Sequence, residues 1–98
     1  MAVHDGHRKR VKDRFQEEGL DNFENYQVLE LLLYYCIPRK DTNEIAHNLI
    51  NTFGSLPGVL EATVDELQKV EGIGEHAAAF LALISAVSRY YQTEKAAI

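Results

Sequence analysis

The chain has no tryptophan, one cysteine, one methionine and two prolines in 98 residues. A lone cysteine, Cys36, cannot close an internal disulfide, so the fold must rest on packing, and a reducing compartment, the cytoplasm, is expected. Its neighbours Tyr34, Tyr35 and Ile37 make it a small buried hydrophobe rather than a reactive thiol. No apolar run reaches the roughly 18 residues of a membrane span. The opening MAVHDGHRKR is charged with no apolar stretch behind it, unlike a secretory signal. No segment alternates like a half-buried strand. P-loop, nucleophile-elbow and HExxH patterns are missing. Carboxylate pairs such as Glu17 with Glu18 and Asp65 with Glu66 are adjacent in sequence, so they diverge on a helix. No catalytic constellation and no cofactor are expected. His4, Asp5 and His7 lie near the terminus without supporting partners and read as solvated groups, not as a metal site.

What is present is one domain's worth of helix. Apolar residues make up 46% of the chain, enough for a modest core. The net charge of −5 works against a general attraction to polyanions. Its distribution is uneven: Arg8, Lys9, Arg10, Lys12 and Arg14 are five of the ten Lys and Arg residues. This run reads either as a solvated helix face or as a patch for phosphates or an acidic partner. Basic residues opening a helix that Glu17 and Glu18 close oppose the helix dipole, which tilts the reading towards a partner. Arg39 and Lys40 in the turn after Pro38 extend the patch or simply solubilise the turn.

Glycine, proline and capping residues punctuate the helices. The first is expected over His7–Glu18, with Val11 and Phe15 on one face and Gly19 as its stop. The second, Asn25–Ile37, is apolar nearly all round, with Glu30 the exception, and so is central. Pro38 ends it. Asp41 with Glu44 caps a third, which carries Ile45, Leu49, Ile50 and Phe53 and stops at Gly54. Ser55 caps a short fourth, and Thr63 with Glu66 boxes a fifth that ends near Val70. The sixth spans Glu75–Tyr91, and residues 92–98 are expected to be a tail or linker. Tyr34, Tyr35, Tyr90 and Tyr91 are assigned to the helical core, with hydroxyls at its rim, in preference to base stacking. His47 and His76 are placed at the helix surface.

The segment LQKVEGIGEHAAAFL carries the sharpest signal. A helix ends, Gly72-Ile73-Gly74 turns the backbone, and the next helix starts at once. A helix start offers unpaired N–H groups and partial positive charge, and glycines let a phosphate approach them. The pattern is identified as a helix-hairpin-helix unit, a sequence-independent clamp on nucleic-acid backbone. Phe53-Gly54-Ser55-Leu56 is a degenerate second copy upstream.

The strings GHRKRVKDRF, LELLLYYCIPRKDTNEIAHNLI, FGSLPGVLEATVDEL and VEGIGEHAAAFL together resemble the N-terminal domain of the RadC family over about Gly6–Tyr91. The FGSL and VEGIG portions are also similar to the tandem helix-hairpin-helix domain of UvrC-type excision nucleases. The resemblance implies a compact all-α domain of five or six helices in a DNA-repair context. Within the single domain 1–98, two N-terminal helices (7–37) would pack on a tandem helix-hairpin-helix unit (41–91). Full-length RadC members continue into a JAB/MPN-like metal domain with a His-x-His motif. This chain has none, so that chemistry is not carried over.

By the same resemblance the amides of Gly72, Gly74, His76 and Ala77 would face one phosphate and those of Gly54 and Ser55 a second. Carbonyls of Gln68, Val70 and Ile73 stand where some relatives hold a monovalent cation. Glu75 departs from the basic residue common at its position and competes with a phosphate for the same amides. The expectation is a non-enzymatic module that binds duplex or branched DNA weakly, with Kd of about 10⁻⁴ to 10⁻⁶ M. The rival is a protein-docking module for another chain or for a hydrolase domain.

Overall fold

The computed structural model describes residues 3–97, with side chains from Gly6 onward. All regular structure among them is helical: α1 (Val3–Glu18), α2 (Asn25–Tyr34), α3 (Thr42–Phe53), α4 (Leu56–Glu61), α5 (Val64–Gln68) and α6 (Glu75–Ala96). No helix is long and apolar enough to cross a membrane.

Local chemistry sets the boundaries. The Asp41 carboxylate accepts from the Asn43 and Glu44 amides at the start of α3. Ser55 Oγ accepts from the Gly58 amide at the start of α4. Thr63 and Glu66 exchange hydrogen bonds of 3.1 and 2.8 Å in a reciprocal box that opens α5. These contacts with Thr63 hold the Glu66 carboxyl below its usual range. Gly54 ends α3 in the left-handed conformation, with φ +88°.

The core forms where α2 and α3 lie together and α4, α5 and α6 close over them. Leu29 and Leu33 of α2 meet Ile45, Ala46 and Leu49 of α3, with Val59, Leu67, Ala77, Ala78 and Leu81 completing the cluster. Two of the three consecutive alanines of α6 are buried here, letting its backbone approach closely; Ala79 faces outward. Cys36 is buried, as expected, and burial pushes its thiol up to about 11. The folded chain therefore keeps a proton that the unfolded chain releases near 9.0. Stability should fall as pH rises between those values, and Cys36→Ala should flatten that decline in thermal melts. At pH 7.5 its reaction with a disulfide reagent should run about a hundredfold slower than for an unperturbed thiol, following its thiolate fraction.

Four expectations need correction. Helix α1 starts at Val3, so the basic run lies in mid-helix and away from the N-terminal end of its dipole. Helix α2 stops at Tyr34, followed by a turn in which Cys36 and Ile37 both donate to the Leu33 carbonyl. Helix α6 runs on to Ala96 because nothing after Tyr91 breaks it: Thr93, Glu94, Lys95 and Ala96 carry neither Gly nor Pro. Of the four tyrosines assigned to the core, only Tyr34 is buried; Tyr35, Tyr90 and Tyr91 are more than half exposed.

Helix α1 is held in an unusual way. Its expected apolar face is thin, since Val11 is half-buried and Phe15 is exposed. Cationic side chains do the fastening. Arg8 donates to the Ile37 and Lys40 carbonyls at 2.6 and 3.0 Å and lies 5.0 Å from the Tyr34 ring centre. Lys12 sits 4.5 Å over Tyr35. Arg14 donates to the Asn22 carbonyl at 2.6 Å and covers Phe23 at 4.2 Å. Stems bury against rings while charges reach carbonyls. The double variant Arg8→Ala/Arg14→Ala should release α1 and leave the core intact. Amide exchange in α1 should quicken by at least about tenfold, since each charge-assisted bond is worth roughly 1.5–3 kcal/mol. Exchange in α3 and in the first half of α6 should not change.

Candidate nucleic-acid interface

The two glycine junctions have the same outline and different chemistry. At the α5–α6 junction, Lys69 and Val70 close α5 with amides donating to Glu66 and Leu67, and the Ile73 amide returns to the Val70 carbonyl at 3.1 Å. Gly72 sits at φ +95°, and a Cβ there would lie 2.7 Å from Ile45 Cδ1. Backbone and packing both require this glycine. Gly74 is different: its φ of −92° suits any residue, and a Cβ there would meet nothing within 4 Å. Nothing inside the fold demands a glycine at 74.

Gly74 is the N-cap of α6 and places no side chain over the helix start. The first bond of the helix runs from the Ala78 amide to the Gly74 carbonyl at 3.0 Å. Among the described residues, no group accepts from the amides of Gly72, Gly74, Glu75, His76 or Ala77. Gly74, Glu75 and His76 are exposed, whereas the Ala77 side chain points into the core. A 22-residue helix therefore starts at the surface with open donors.

At the α3–α4 junction one of the two expected amides is taken, and the other, that of Ser55, has no acceptor among the described residues. The Gly54 amide, expected to serve a phosphate, donates to the Ile50 carbonyl at 2.7 Å. Ser55 turns its own hydroxyl onto the Gly58 amide at 3.0 Å. Pro57, inside the first turn of α4, has no N–H at all. Helix α4 is also only six residues long. Of the carbonyls noted as a cation position, that of Val70 already accepts from Ile73.

Several residues of the basic run also make contacts within the fold. Arg8, Lys12 and Arg14 fasten α1, as described above, and Lys9 pairs with Asp13 at 2.8 Å. Arg10, Arg39 and Lys40 stand exposed. The residues leading into and opening α6 include exposed Glu71 and Glu75 against one exposed base, Lys69, so the charge along this stretch is acidic. His76 is exposed, and exposed His47 stacks on Tyr26 with ring centres 4.3 Å apart. The described residues hold no cluster of three or more metal-ligating side chains, and the His4 and Asp5 side chains lie outside the described residues.

The fold defines an all-α domain with one uncapped helix start at a glycine turn. Comparison with known proteins then places the chain. The model of the UPF0758 N-terminal family matches residues 6–79, and the chain belongs to that family, which is the RadC-like one. Relatives include the UPF0758 protein FN0909 of Fusobacterium nucleatum, 48% identical over 79 residues, covering 81% of this chain and 34% of that protein. The UPF0758 protein SPO0054 of Ruegeria pomeroyi is 44% identical over 69 residues, covering 70% of this chain and 31% of that protein. The chain thus spans about a third of the length of these relatives. No solved structure matches.

Proposed function

We propose that this domain binds nucleic-acid backbone, weakly and without reading sequence, through the α5–α6 junction acting as a helix-hairpin-helix clamp, with no chemistry of its own. The observation that carries the reading is the contrast at Gly74. The fold leaves that position open, places no cap on it, and leaves the amides of Gly74, Glu75 and His76 without an acceptor at the positive end of a long helix. A phosphate oxygen accepts from such amides with charge assistance. At the α3–α4 junction the Gly54 amide is taken and only the Ser55 amide stays open, which makes the upstream hairpin the weaker of the two grips. Acidic neighbours and the net charge of −5 keep affinity low, at a Kd of about 10⁻⁴ M and above at physiological salt. A fluorescence-anisotropy titration with labelled duplex, fork and four-way junction tests this. Binding should be measurable at about 50 mM salt and fall by about three- to tenfold at 200 mM, the slope of one or two phosphate contacts.

A second reading, protein docking, is favoured by α6. From Ala86 to Ala97 every residue is exposed, and Leu83, Val87, Tyr90 and Tyr91 form a stripe at helical spacing. Such a stripe suits a hydrolase portion of the kind the RadC resemblance implies, or another chain. Absence of salt-dependent binding to every DNA form at 50 mM would transfer the proposal to this surface.

A further inference from the structure

Helix α6 has two faces. Ala77, Ala78, Leu81 and Ser85 turn into the core. At 3.6 residues per turn Leu83 lies on the side away from Leu81 and Ser85, and it stands 58% exposed. Exposed Val87 and Tyr90 continue this outer face, with Tyr91 at its edge. With half-buried Phe80 the apolar positions become Phe80, Leu83, Val87 and Tyr90, in steps of three and four. That spacing is the seam of a coiled coil, and here it lies on the face of the helix turned away from its own core. The same steps reach His76 before the apolar seam and Glu94 after it, both exposed.

The order of residues along the seam indicates what covers it. Two copies of α6 laid antiparallel and centred on Ser85 match at every layer. Leu83 of each copy meets Val87 of the other, and Phe80 meets Tyr90. At both ends His76 meets Glu94, an imidazole against a carboxylate. Glu75 opens each helix and Lys95 closes it, so an acid-bearing end lies beside a base-bearing end. The two macrodipoles run in opposite senses, which is favourable. Exposed Ala79 and Ala86 flank one side of the seam and let the backbones approach. A parallel pair loses these matches, since it sets Glu94 against Glu94 and aligns the dipoles.

We infer that the outer face of α6 is a self-association surface, which pairs with α6 of a second copy of this chain in antiparallel register about Ser85. The assignment rests on the docking reading of α6 and names its occupant; it does not depend on DNA binding. Two 22-residue helices give an interface near the low end of specific complexes, about 1,200 Å² in total. A dissociation constant of about 10–100 µM is expected.

Sedimentation equilibrium of the 98-residue chain without nucleic acid, at concentrations from about 5 µM to about 1 mM, should show a monomer passing into a dimer and no larger species. Leu83→Glu and Val87→Glu alter side chains already exposed in the single chain, so the fold should tolerate them. Each should weaken the dimer by more than about tenfold, as a charge at the centre of a small interface does. Cross-linking with a short bismaleimide reads the register, with the parent chain, whose Cys36 is buried, as blank. Ala86→Cys copies face each other across the two-fold axis and should link. Ala79→Cys copies lie roughly 20 Å apart, at 1.5 Å of rise per residue, and should not. Equal linking of both overturns the antiparallel register. A dimer that Leu83→Glu and Val87→Glu leave intact overturns the surface. A chain that stays monomeric throughout overturns the second copy as occupant, and an apolar dye then tests the docking reading by itself. Dye bound by the monomer and lost in Leu83→Glu leaves the face to a different chain, whereas no bound dye overturns the docking reading as well.

Discussion

Alanine at position 72 is expected to destabilise the domain by about 2–5 kcal/mol, whereas alanine at 74, two residues on, is expected to stay within about 1 kcal/mol of the parent. Gly72 holds φ +95°, where an L-residue is strained by about 1–2 kcal/mol. The added methyl would lie 2.7 and 2.9 Å from Ile45 Cδ1 and Cγ1. Ile45 is buried in the core cluster, so it cannot swing into solvent, and overpacking of this kind adds about 1–3 kcal/mol. Gly74 carries neither burden. Its extended backbone accepts any residue and its Cβ position is open. The small entropic gain from removing a glycine roughly offsets the small loss of a good N-cap. Urea denaturation of both variants measures the difference. Equal destabilisation would show that the turn needs both glycines for folding, and the argument that Gly74 is kept open for a ligand would lose its support.

Much of this fold is written in local chemistry and can be read from the sequence. Asp41, Ser55 and the Thr63–Glu66 pair cap the helices they precede, because a cap involves groups within three residues of one another. Gly19 and Gly54 stop α1 and α3 in left-handed geometry for the same reason. What stayed hidden depends on partners far along the chain. Arg8 reaches carbonyls 29 and 32 residues away, so the part that the basic run plays in fastening α1 was not legible. Periodicity placed Tyr90 and Tyr91 on a helix without revealing that they stand exposed there. Glu30 stood out as the one acid in an apolar helix, but its burial beside the Thr42 hydroxyl depends on a residue 12 positions away. The inequality of the two glycine junctions was partly legible, since Ser55 is a strong N-cap and Gly74 has no side chain to cap with.

That inequality gives the second large effect. Gly74→Asp is expected to abolish backbone binding, with a loss of more than tenfold, while raising stability slightly. Aspartate is among the best N-cap residues, and position 74 already has the extended geometry an N-cap requires. Its carboxylate would accept from the first-turn amides of α6, the donors proposed for the phosphate, and would add a negative charge at the positive end of the helix. The fold gains a cap as the ligand loses its donors and meets repulsion. Gly74→Ser separates the two causes. Serine occupies an amide without adding charge, and reproduces at the second junction what Ser55 does at the first with its 3.0 Å bond to the Gly58 amide. Its binding should fall between the parent and the aspartate variant, by about three- to fivefold, if each lost hydrogen bond is worth roughly 1 kcal/mol net. Anisotropy titrations at 50 mM salt, paired with thermal melts, read both quantities on the same samples. Retention of full DNA affinity by a stable Gly74→Asp domain would remove the α6 start from the interface and shift attention to exposed Arg10, Arg39 and Lys40.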